Sequence, residues 1–294
     1  MTAPSEPDVA TAVPPVGVVG CGLMGAGIAE VMARAGLTVI VHEVDEAAAA
    51  RGRSRIEASL ERAARRDKLG SANDVLRRIT VGWDLDALRD VDLVVEAASE
   101  DEAMKSALFR RLDATLVRDD AVLASNTSSI PIMTLGAATS RPEQVIGMHF
   151  FNPVPVLPLI ELVPSLLTST ETVTRVQHLA ENDLGKTVIL SQDRAGFIVN
   201  ALLVPYLLSG VRMVESGFAS AADIDAGMVR GCAHPMGPLQ LIDLIGLDTV
   251  KAIAESLYAE FKEPLYSPPP MLLRMVSADM LGRKTGRGFY EYAR

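Results

Sequence analysis

Between residues 16 and 190, short apolar runs rich in β-branched residues alternate with longer segments in which apolar residues recur at helical spacing. The short runs predict strands and the longer segments predict helices. The predicted strands are Val16–Val19, Leu37–His42, Arg78–Val81, Leu93–Glu96, Val122–Ser125, Val145–His149 and Thr187–Leu190. This alternation is typical of an α/β fold with a doubly wound, parallel sheet.

From Phe197 onward the pattern is helical throughout. It predicts four helices, which are Ile198–Ser216, Ala221–Arg230, Leu239–Phe261 and Met271–Met280. The change of pattern at Asp193–Gly196 predicts an α/β domain over residues 16–192 and an all-α domain over residues 193–294. Residues 1–15 are rich in Pro, Ala, Ser and acidic residues, and we expect them to form a disordered tail without the pattern of a signal peptide.

The first predicted strand runs directly into a glycine-rich turn that is followed by a helix. Gly20, Gly22 and Gly25 have the G-x-G-x-x-G spacing, which permits a tight turn, close approach to a pyrophosphate and close packing of the helix. The second strand ends at Glu43, near the offset expected for the acid that binds an adenosine ribose, and Asp45 is the alternative acid. We therefore predict a Rossmann domain that binds NAD, with NADP as the other possible cofactor; a glycine turn without a ligand is the simpler alternative.

Composition and charge exclude several classes of protein. A net charge of −9, without a basic run interleaved with aromatic residues, argues against nucleic-acid binding. Cys21 and Cys232 are too few for a disulfide framework or a zinc site, so no metal is expected and a reducing cytoplasm is the simplest setting. Residues 195–211 are almost wholly apolar, but the segment is short for a membrane span and contains Pro205. We predict a buried helix there and no membrane association.

The stretch from Met148 to Leu162 carries the most suggestive chemistry. His149 and Glu161 stand there among prolines and apolar residues, with no lysine or arginine between them. Oxidation of an alcohol needs a proton acceptor whose pKa lies near neutral pH, which histidine provides. A carboxylate bonded to the other ring nitrogen would fix the tautomer and stabilise the imidazolium. We therefore predict that Glu161 orients His149 as a general base, whereas a buried packing histidine is the alternative.

Three other histidines compete for the role of base. His234, which precedes a proline at a helix start, is the serious rival, whereas His42 and His178 are expected to be structural or surface residues. Ser128 and Asn200 are candidate hydrogen-bond donors to the substrate oxygen. Their simpler interpretations are a helix cap for Ser128 and a buried polar packing residue for Asn200.

Residues of suitable chemistry follow five of the predicted strands, namely Gly22, Glu43, Glu96, Ser128 and His149. In an open α/β sheet, ligands bind outside the carboxyl ends of the strands. We therefore expect these residues to converge on one edge of the sheet. Beside them, the predicted helix from Asp45 to Lys68 has an excess of arginine, which indicates either a solvated face or a site for an anionic substrate tail.

Several motifs together resemble those of the short-chain 3-hydroxyacyl-CoA dehydrogenases. They are G-C-G-L-M-G-A-G at 20–27, A-S-N-T-S-S at 124–129, H-F-F-N-P-V-P-V at 149–156, G-F-I-V-N at 196–200, H-P-M-G-P-L at 234–239 and G-R-K-T-G-R-G-F-Y at 282–290. The resemblance covers the chain from Val16 onward, with the motifs in the family's order. It implies an NAD-binding Rossmann domain, a helical domain that forms a homodimer, and reversible oxidation of an (S)-3-hydroxyacyl-CoA to the 3-ketoacyl-CoA.

The resemblance also implies roles for individual residues. The catalytic residues would be His149, Glu161, Ser128 and Asn200. Together with the glycine motif, the resemblance implies cofactor contacts at Gly20, Gly22, Leu23, Met24, Gly25, Glu43, Ala97, Glu100, Lys105 and Asn126. Contacts with the acyl-CoA substrate would fall on Ser59, Arg66, Ser128 and Asn152. Two positions depart from the family pattern, because Arg66 replaces a lysine and Glu43 replaces the aspartate of many relatives.

Two other functions are compatible with the sequence. One is a dehydrogenase that acts on a different hydroxy acid or on a carrier-bound hydroxyacyl group, and the other is a non-catalytic NAD-binding protein. The arginine-rich helix favours CoA over the first alternative. The presence of all four expected catalytic residues argues against the second.

Overall fold

The structure is a computed structural model that describes residues 14–66 and 71–292. The predicted tail, apart from its last two positions, lies outside the described residues. The chain divides into two compact units, Met1–Gln192 and Asp193–Arg294. The first is an α/β unit and the second is helical, which confirms the predicted fold class.

One sheet forms the centre of the first unit. Among the described residues its strands are β1 Val16–Val19, β2 Val39–His42, β3 Ile79–Gly82, β4 Leu93–Glu96, β5 Val122–Ser125, β6 Val145–Phe150, β7 Leu159–Pro164 and β8 Thr187–Leu190. Their order is β3-β2-β1-β4-β5-β6-β7-β8. The chain passes from β1 to β2 and β3 on one side and then to β4 on the other. The topological switch point, where open α/β sheets bind ligands, therefore lies between β1 and β4.

The strand β7 was not predicted, and it makes the sheet mixed. Neighbouring strands pair in parallel except for β6 and β7, which pair antiparallel. The connection over residues 151–158 is short, and only an antiparallel partner can be reached by such a connection. The prediction of a wholly parallel sheet is therefore wrong at this pair.

Helices cover the sheet of the first unit. They are α1 Leu23–Arg34, α2 Glu46–Ala64, α3 Ala72–Leu76, α4 Glu102–Thr115, α5 Ile132–Ala137 and α6 Thr170–His178. Aspartate caps define two of their starts, because the side chain of Asp45 accepts the Ala48 N–H and that of Asp101 accepts the Met104 N–H. The arginine-rich helix ends at Ala64, and residues 67 and 68 of the predicted helix lie outside the described residues.

The second unit contains the helices α7 Val199–Glu215, α8 Ala221–Cys232, α9 Pro238–Ile245, α10 Leu247–Phe261 and α11 Pro270–Ser277. The single helix predicted over Leu239–Phe261 is in fact two helices, α9 and α10. They meet at Gly246, whose φ of +104° interrupts helical geometry and is accessible chiefly to glycine. Apolar periodicity continues across this break, which explains why the sequence pattern did not show it.

Two buried aspartates attach the C-terminal segment to the helices of the second unit. Asp243 accepts hydrogen bonds from the backbone N–H groups of Phe289 and Tyr290 and from the Tyr292 hydroxyl, at 2.9, 3.0 and 2.9 Å. Asp225 accepts the Tyr290 hydroxyl at 2.7 Å and backbone N–H groups at the start of α9. Burial and the bond to Asp243 raise the pKa of Tyr292 to about 12. Residues 282–292 are thereby held by buried charge-assisted hydrogen bonds.

The apolar segment over residues 195–211 falls mostly within α7. This helix contains Pro205, and one side of it is buried among the other helices of its unit. None of the described helices combines the length and the apolar character that crossing a bilayer requires.

Candidate active site

His149 and Glu161 form a pair in the β6–β7 hairpin, one position from the end that the loop joins. They are directly opposite each other in the strand pairing, and His149 Nδ1 lies 2.7 Å from Glu161 Oε2. Glu161 is wholly buried, and the side chain of His149 is 8% exposed. The ring of Phe151 packs edge-on against the imidazole, with 4.6 Å between the ring centroids. The strands thus present a histidine whose Nδ1 faces a buried carboxylate.

The other three histidines lie in different surroundings. His234 belongs to the second unit, where its Nδ1 is 3.1 Å from the Tyr206 hydroxyl. His42 ends β2, and burial lowers its pKa. His178 is exposed at the end of α6. Contact with a carboxylate therefore distinguishes His149 from its serious rival, whose ring nitrogen contacts a neutral hydroxyl.

The glycine-rich turn has the shape that a dinucleotide requires. Gly20 has a φ of +87°. A Cβ on Gly25 would lie 1.8 Å from the Gly20 carbonyl oxygen, so a larger residue at position 25 would force α1 away from the turn. A Cβ on Gly22 would meet nothing within 4 Å, which leaves the backbone open on that side. No side chain caps the start of α1. Its first N–H groups and the positive end of its dipole fit a pyrophosphate.

Glu43 lies against this turn. Its Oε1 accepts the Cys21 N–H at 2.5 Å, and Arg55 donates to the Cys21 carbonyl oxygen at 2.7 Å. Asp45, the alternative acid, is occupied as the cap of α2. Of the two candidate acids, Glu43 is the one beside the glycine turn.

A network of buried polar groups occupies the ends of β4 and β5. Glu96 is wholly buried and accepts the Ser125 hydroxyl and the Ala98 N–H, both at 2.6 Å. The Lys105 ammonium lies 2.9 Å from Glu96 Oε1 and 3.0 Å from Glu100 Oε2, and its side chain is only 1% exposed. Lys105, one of the expected cofactor contacts, is thus enclosed between two carboxylates.

Glu100 connects this network to the loop that carries Ser128. Its Oε1 accepts the Ser128 N–H at 3.0 Å, the Ser129 hydroxyl at 3.1 Å and the Thr127 hydroxyl. Burial by itself would raise the pKa of Glu100, but the Lys105 ammonium and these hydrogen bonds outweigh it and bring that pKa below its ordinary value. The next helix, α5, begins at Ile132, and its N-cap position is Pro131 rather than Ser128.

The other expected cofactor contacts of the first unit follow the ends of β1, β4 and β5. Asn126 accepts the Phe150 N–H at 2.9 Å through its side-chain oxygen, which joins the end of β5 to β6. Leu23 and Met24 open α1 and Ala97 follows β4. Asn200 lies in the first turn of α7 in the second unit, where its side chain is buried.

A cleft of about 100 Å³ is lined by residues of α1, α2 and the loop at residues 152–155. Ser59 and Asn152, two of the expected CoA contacts, line it. Arg55 and Arg62 also line it, and the sequence had not singled out either one from the other arginines of this helix. Arg66 lies just beyond α2 and is exposed.

The fold and these residues define an NAD-dependent dehydrogenase. The model for the NAD-binding domain of 3-hydroxyacyl-CoA dehydrogenase matches residues 15–194, and the model for its C-terminal domain matches residues 196–292. The chain belongs to the 3-hydroxyacyl-CoA dehydrogenase family.

Similar proteins agree with this assignment. The chain is 57% identical over 279 residues to 3-hydroxybutyryl-CoA dehydrogenase of Mycobacterium tuberculosis, an alignment that covers 94% of this chain and 98% of that one. It is 40% identical over 286 residues to human mitochondrial hydroxyacyl-coenzyme A dehydrogenase, covering 94% and 90%. The crystal structure of (S)-3-hydroxybutyryl-CoA dehydrogenase from Ralstonia eutropha superposes with a TM-score of 0.90 at 42% identity, covering 96% and 100%. The predicted family, the NAD cofactor and the oxidoreductase class are confirmed.

Proposed function

We propose that the protein interconverts (S)-3-hydroxybutyryl-CoA and acetoacetyl-CoA with NAD. The observation that carries the chemistry is the 2.7 Å contact between His149 Nδ1 and the buried carboxylate of Glu161. The four-carbon acyl chain is supported by the relatives from Mycobacterium tuberculosis and Ralstonia eutropha, which are both named as 3-hydroxybutyryl-CoA dehydrogenases.

In the proposed mechanism His149 moves the proton of the substrate hydroxyl. Because Nδ1 faces Glu161, the proton is accepted at Nε2, and the carboxylate stabilises the imidazolium that forms. When bound, NAD supplies the acceptor for the hydride that leaves the carbon bearing this hydroxyl. Ser128 and Asn200 are proposed to donate hydrogen bonds to the substrate oxygen, where charge develops. For Asn200 this role rests on the resemblance alone.

The nucleotide part of CoA is proposed to bind along α2. Ser59 and Asn152 line the cleft beside this helix, and Arg55 and Arg62 bring two guanidinium groups to it. Guanidinium groups bind phosphate through paired N–H donors. Arg66 follows the end of α2 and is exposed, and we propose that its guanidinium group also contacts a phosphate of CoA.

The direct test adds acetoacetyl-CoA to the purified protein and follows consumption of NADH and NADPH in parallel. We expect rapid oxidation of NADH and little of NADPH. Free acetoacetate is the matched control, because it carries the same ketone without CoA. Equal rates with acetoacetate would indicate a dehydrogenase of another hydroxy acid. No turnover with either cofactor would favour a non-catalytic NAD-binding protein.

Replacement of Glu43 by alanine is expected to change the choice of cofactor. The variant loses a charged acceptor for the ribose hydroxyls and no longer repels a 2′-phosphate, so KM for NADH should rise about tenfold while use of NADPH improves. Steady-state kinetics with both cofactors measure this. Asp45→Ala is the control, because it removes the cap of α2 and should cost stability, about 1 kcal/mol, without changing the preference. An unchanged preference in Glu43→Ala would assign selection to another residue.

We also propose that the protein is a homodimer formed through the helical unit. This unit has an apolar cleft of about 620 Å³, with Ile198, Leu202 and Leu244 in its lining, and Leu202 is 73% exposed. Exposed apolar patches of this kind are typical of protein interfaces. Leu202→Asp is expected to lower the mass measured by light scattering from dimer to monomer. Leu166→Asp, at an 88% exposed leucine of the first unit, should leave it unchanged; a monomeric wild-type protein would contradict the proposal.

A cytoplasmic location is proposed on the cysteine content. Cys21 is buried and Cys232 is exposed, and both are unpaired, as is usual in a reducing compartment. Fractionation of cells that express the protein would test this location.

A further inference from the structure

Three charged side chains form a compact group, the charged cluster, made of Glu96, Lys105 and Glu100. One ammonium lies within 3.0 Å of both carboxylates. Two carboxylates and one ammonium give the charged cluster a net charge of −1. Glu96 and Lys105 are withdrawn from water, whereas the side chain of Glu100 is 39% exposed, so salt and solvent screen the surplus charge in part.

Neutral groups supply the other contacts of the charged cluster. They are the hydroxyls of Ser125, Thr127 and Ser129 and the backbone N–H groups of Ala98 and Ser128. In the described part of the chain, Lys105 is the cation that pairs with these two carboxylates. The surplus negative charge is therefore not cancelled within the network. It extends toward solvent through Glu100, whose side chain is 39% exposed.

The charged cluster lies on one particular side of the switch point of the sheet. Glu96 is the pairing partner of Val19, the last residue before the glycine-rich turn, and a Cβ on Gly20 would lie 2.8 Å from the Ala97 carbonyl oxygen. Glu43 marks the β2 side, where the adenosine half of a dinucleotide binds. The nicotinamide half therefore belongs on the side of β4, β5 and β6, which carries the charged cluster and His149.

The two oxidation states of the cofactor differ on that side. The nicotinamide ring is positively charged in NAD+ and neutral in NADH, whereas the adenosine and pyrophosphate are the same in both. Contacts with the glycine-rich turn therefore cancel in the ratio of the two affinities, and a fixed charge near the ring does not. We propose that the charged cluster sets the preference of the protein between NAD+ and NADH, favouring NAD+. This rests on the proposed function only in placing the ring on the side of His149.

The test is Glu96→Gln, which removes one negative charge and keeps the size of the side chain. We expect the ratio Kd(NAD+)/Kd(NADH) to rise about 5- to 30-fold. This corresponds to about 1–2 kcal/mol at about 1.4 kcal/mol per tenfold change, the order of magnitude that Coulomb's law gives for a unit charge near the ring at an effective dielectric constant of about 20. Calorimetric titration of each cofactor without acyl-CoA measures the ratio. The readout is therefore independent of turnover, and a protein inactive on acetoacetyl-CoA would still report it.

Two further variants separate charge from structure. Ser125→Ala removes a hydrogen bond to Glu96 without changing the charge, and it should leave the ratio unchanged even if both affinities fall. Glu100→Gln removes a charge at a position that is 39% exposed and keeps the size of the side chain, and it should shift the ratio in the same direction as Glu96→Gln. The proposal would be overturned by an unchanged ratio in Glu100→Gln, or by a shift of the same size in Ser125→Ala. If Glu96→Gln does not fold, Glu100→Gln decides alone.

Discussion

His149→Gln is expected to lower the turnover of acetoacetyl-CoA roughly 10²- to 10⁴-fold, the usual contribution of a general base. Glutamine can still donate a hydrogen bond toward Glu161, so the buried carboxylate is not left without a partner, but the amide cannot accept or release a proton. The glycine-rich turn and Glu43 are untouched, and binding of NADH should remain near normal. Stopped-flow kinetics and calorimetric titration of NADH measure the two quantities separately.

The matched control is His234→Gln. His234 contacts the Tyr206 hydroxyl rather than a carboxylate, and its replacement should leave turnover within a fewfold of wild type. A large loss of turnover in this variant, together with near-normal turnover in His149→Gln, would assign the role of general base to His234 instead of His149. Loss of NADH binding in His149→Gln would show that the residue supports the cofactor site instead of the chemistry.

Asp243→Ala is expected to destabilise the protein by about 3–5 kcal/mol, the usual cost of removing one partner of a buried charged network. Asp243 is 1% exposed and accepts two backbone N–H groups and one hydroxyl from the C-terminal segment. Alanine leaves these donors without an acceptor. Gly288 approaches so closely that a Cβ there would lie 2.0 Å from Asp243 Oδ1, so the carboxylate packs directly against the backbone of the C-terminal segment. Denaturant unfolding measures the loss.

Asp248→Ala provides the comparison. This aspartate also contacts the C-terminal segment, through an ion pair with Lys284, but both side chains are largely exposed. Exposed ion pairs contribute about 0–1 kcal/mol, so the midpoint of unfolding should barely move. Equal losses in the two variants would mean that burial of Asp243 does not matter.

Local signals in the sequence predicted the parts of the site that follow strands. The glycine-rich turn and Glu43 come at the ends of predicted strands, and Ser128 follows a third strand within three residues. The rule for parallel sheets places such residues at one edge. The same rule predicted the position of Glu96 at this edge. The contact of His149 with Glu161 could be proposed because the residues between them, with three prolines, favour a chain reversal.

Other features depend on packing that a sequence pattern does not contain. Lys105 lies in an amphipathic helix where a lysine is ordinarily solvated, and its burial between carboxylates appears only when α4 is placed beside β4. The strand β7 was missed because Pro158 directly precedes it and Pro164 is its last residue, and both interrupt the apolar run. Arg55 and Arg62 differ from the other arginines of α2 only in the direction they face, which depends on the loop at residues 152–155.

In the β6–β7 hairpin, the contact between the base and its carboxylate depends on the register of the two strands. Successive side chains on a strand point to opposite faces of the sheet. Glu161 contacts His149 because the register places the two residues opposite each other, with their side chains on the same face. Losing or gaining one residue within β7 would bring Ile160 or Leu162 opposite the imidazole and turn the carboxylate to the other face. The loop from Phe151 to Pro158 is under no such rule. The base and its partner therefore depend on the register of the two paired strands, whereas a change in the length of the loop need not alter which face of the sheet either side chain occupies.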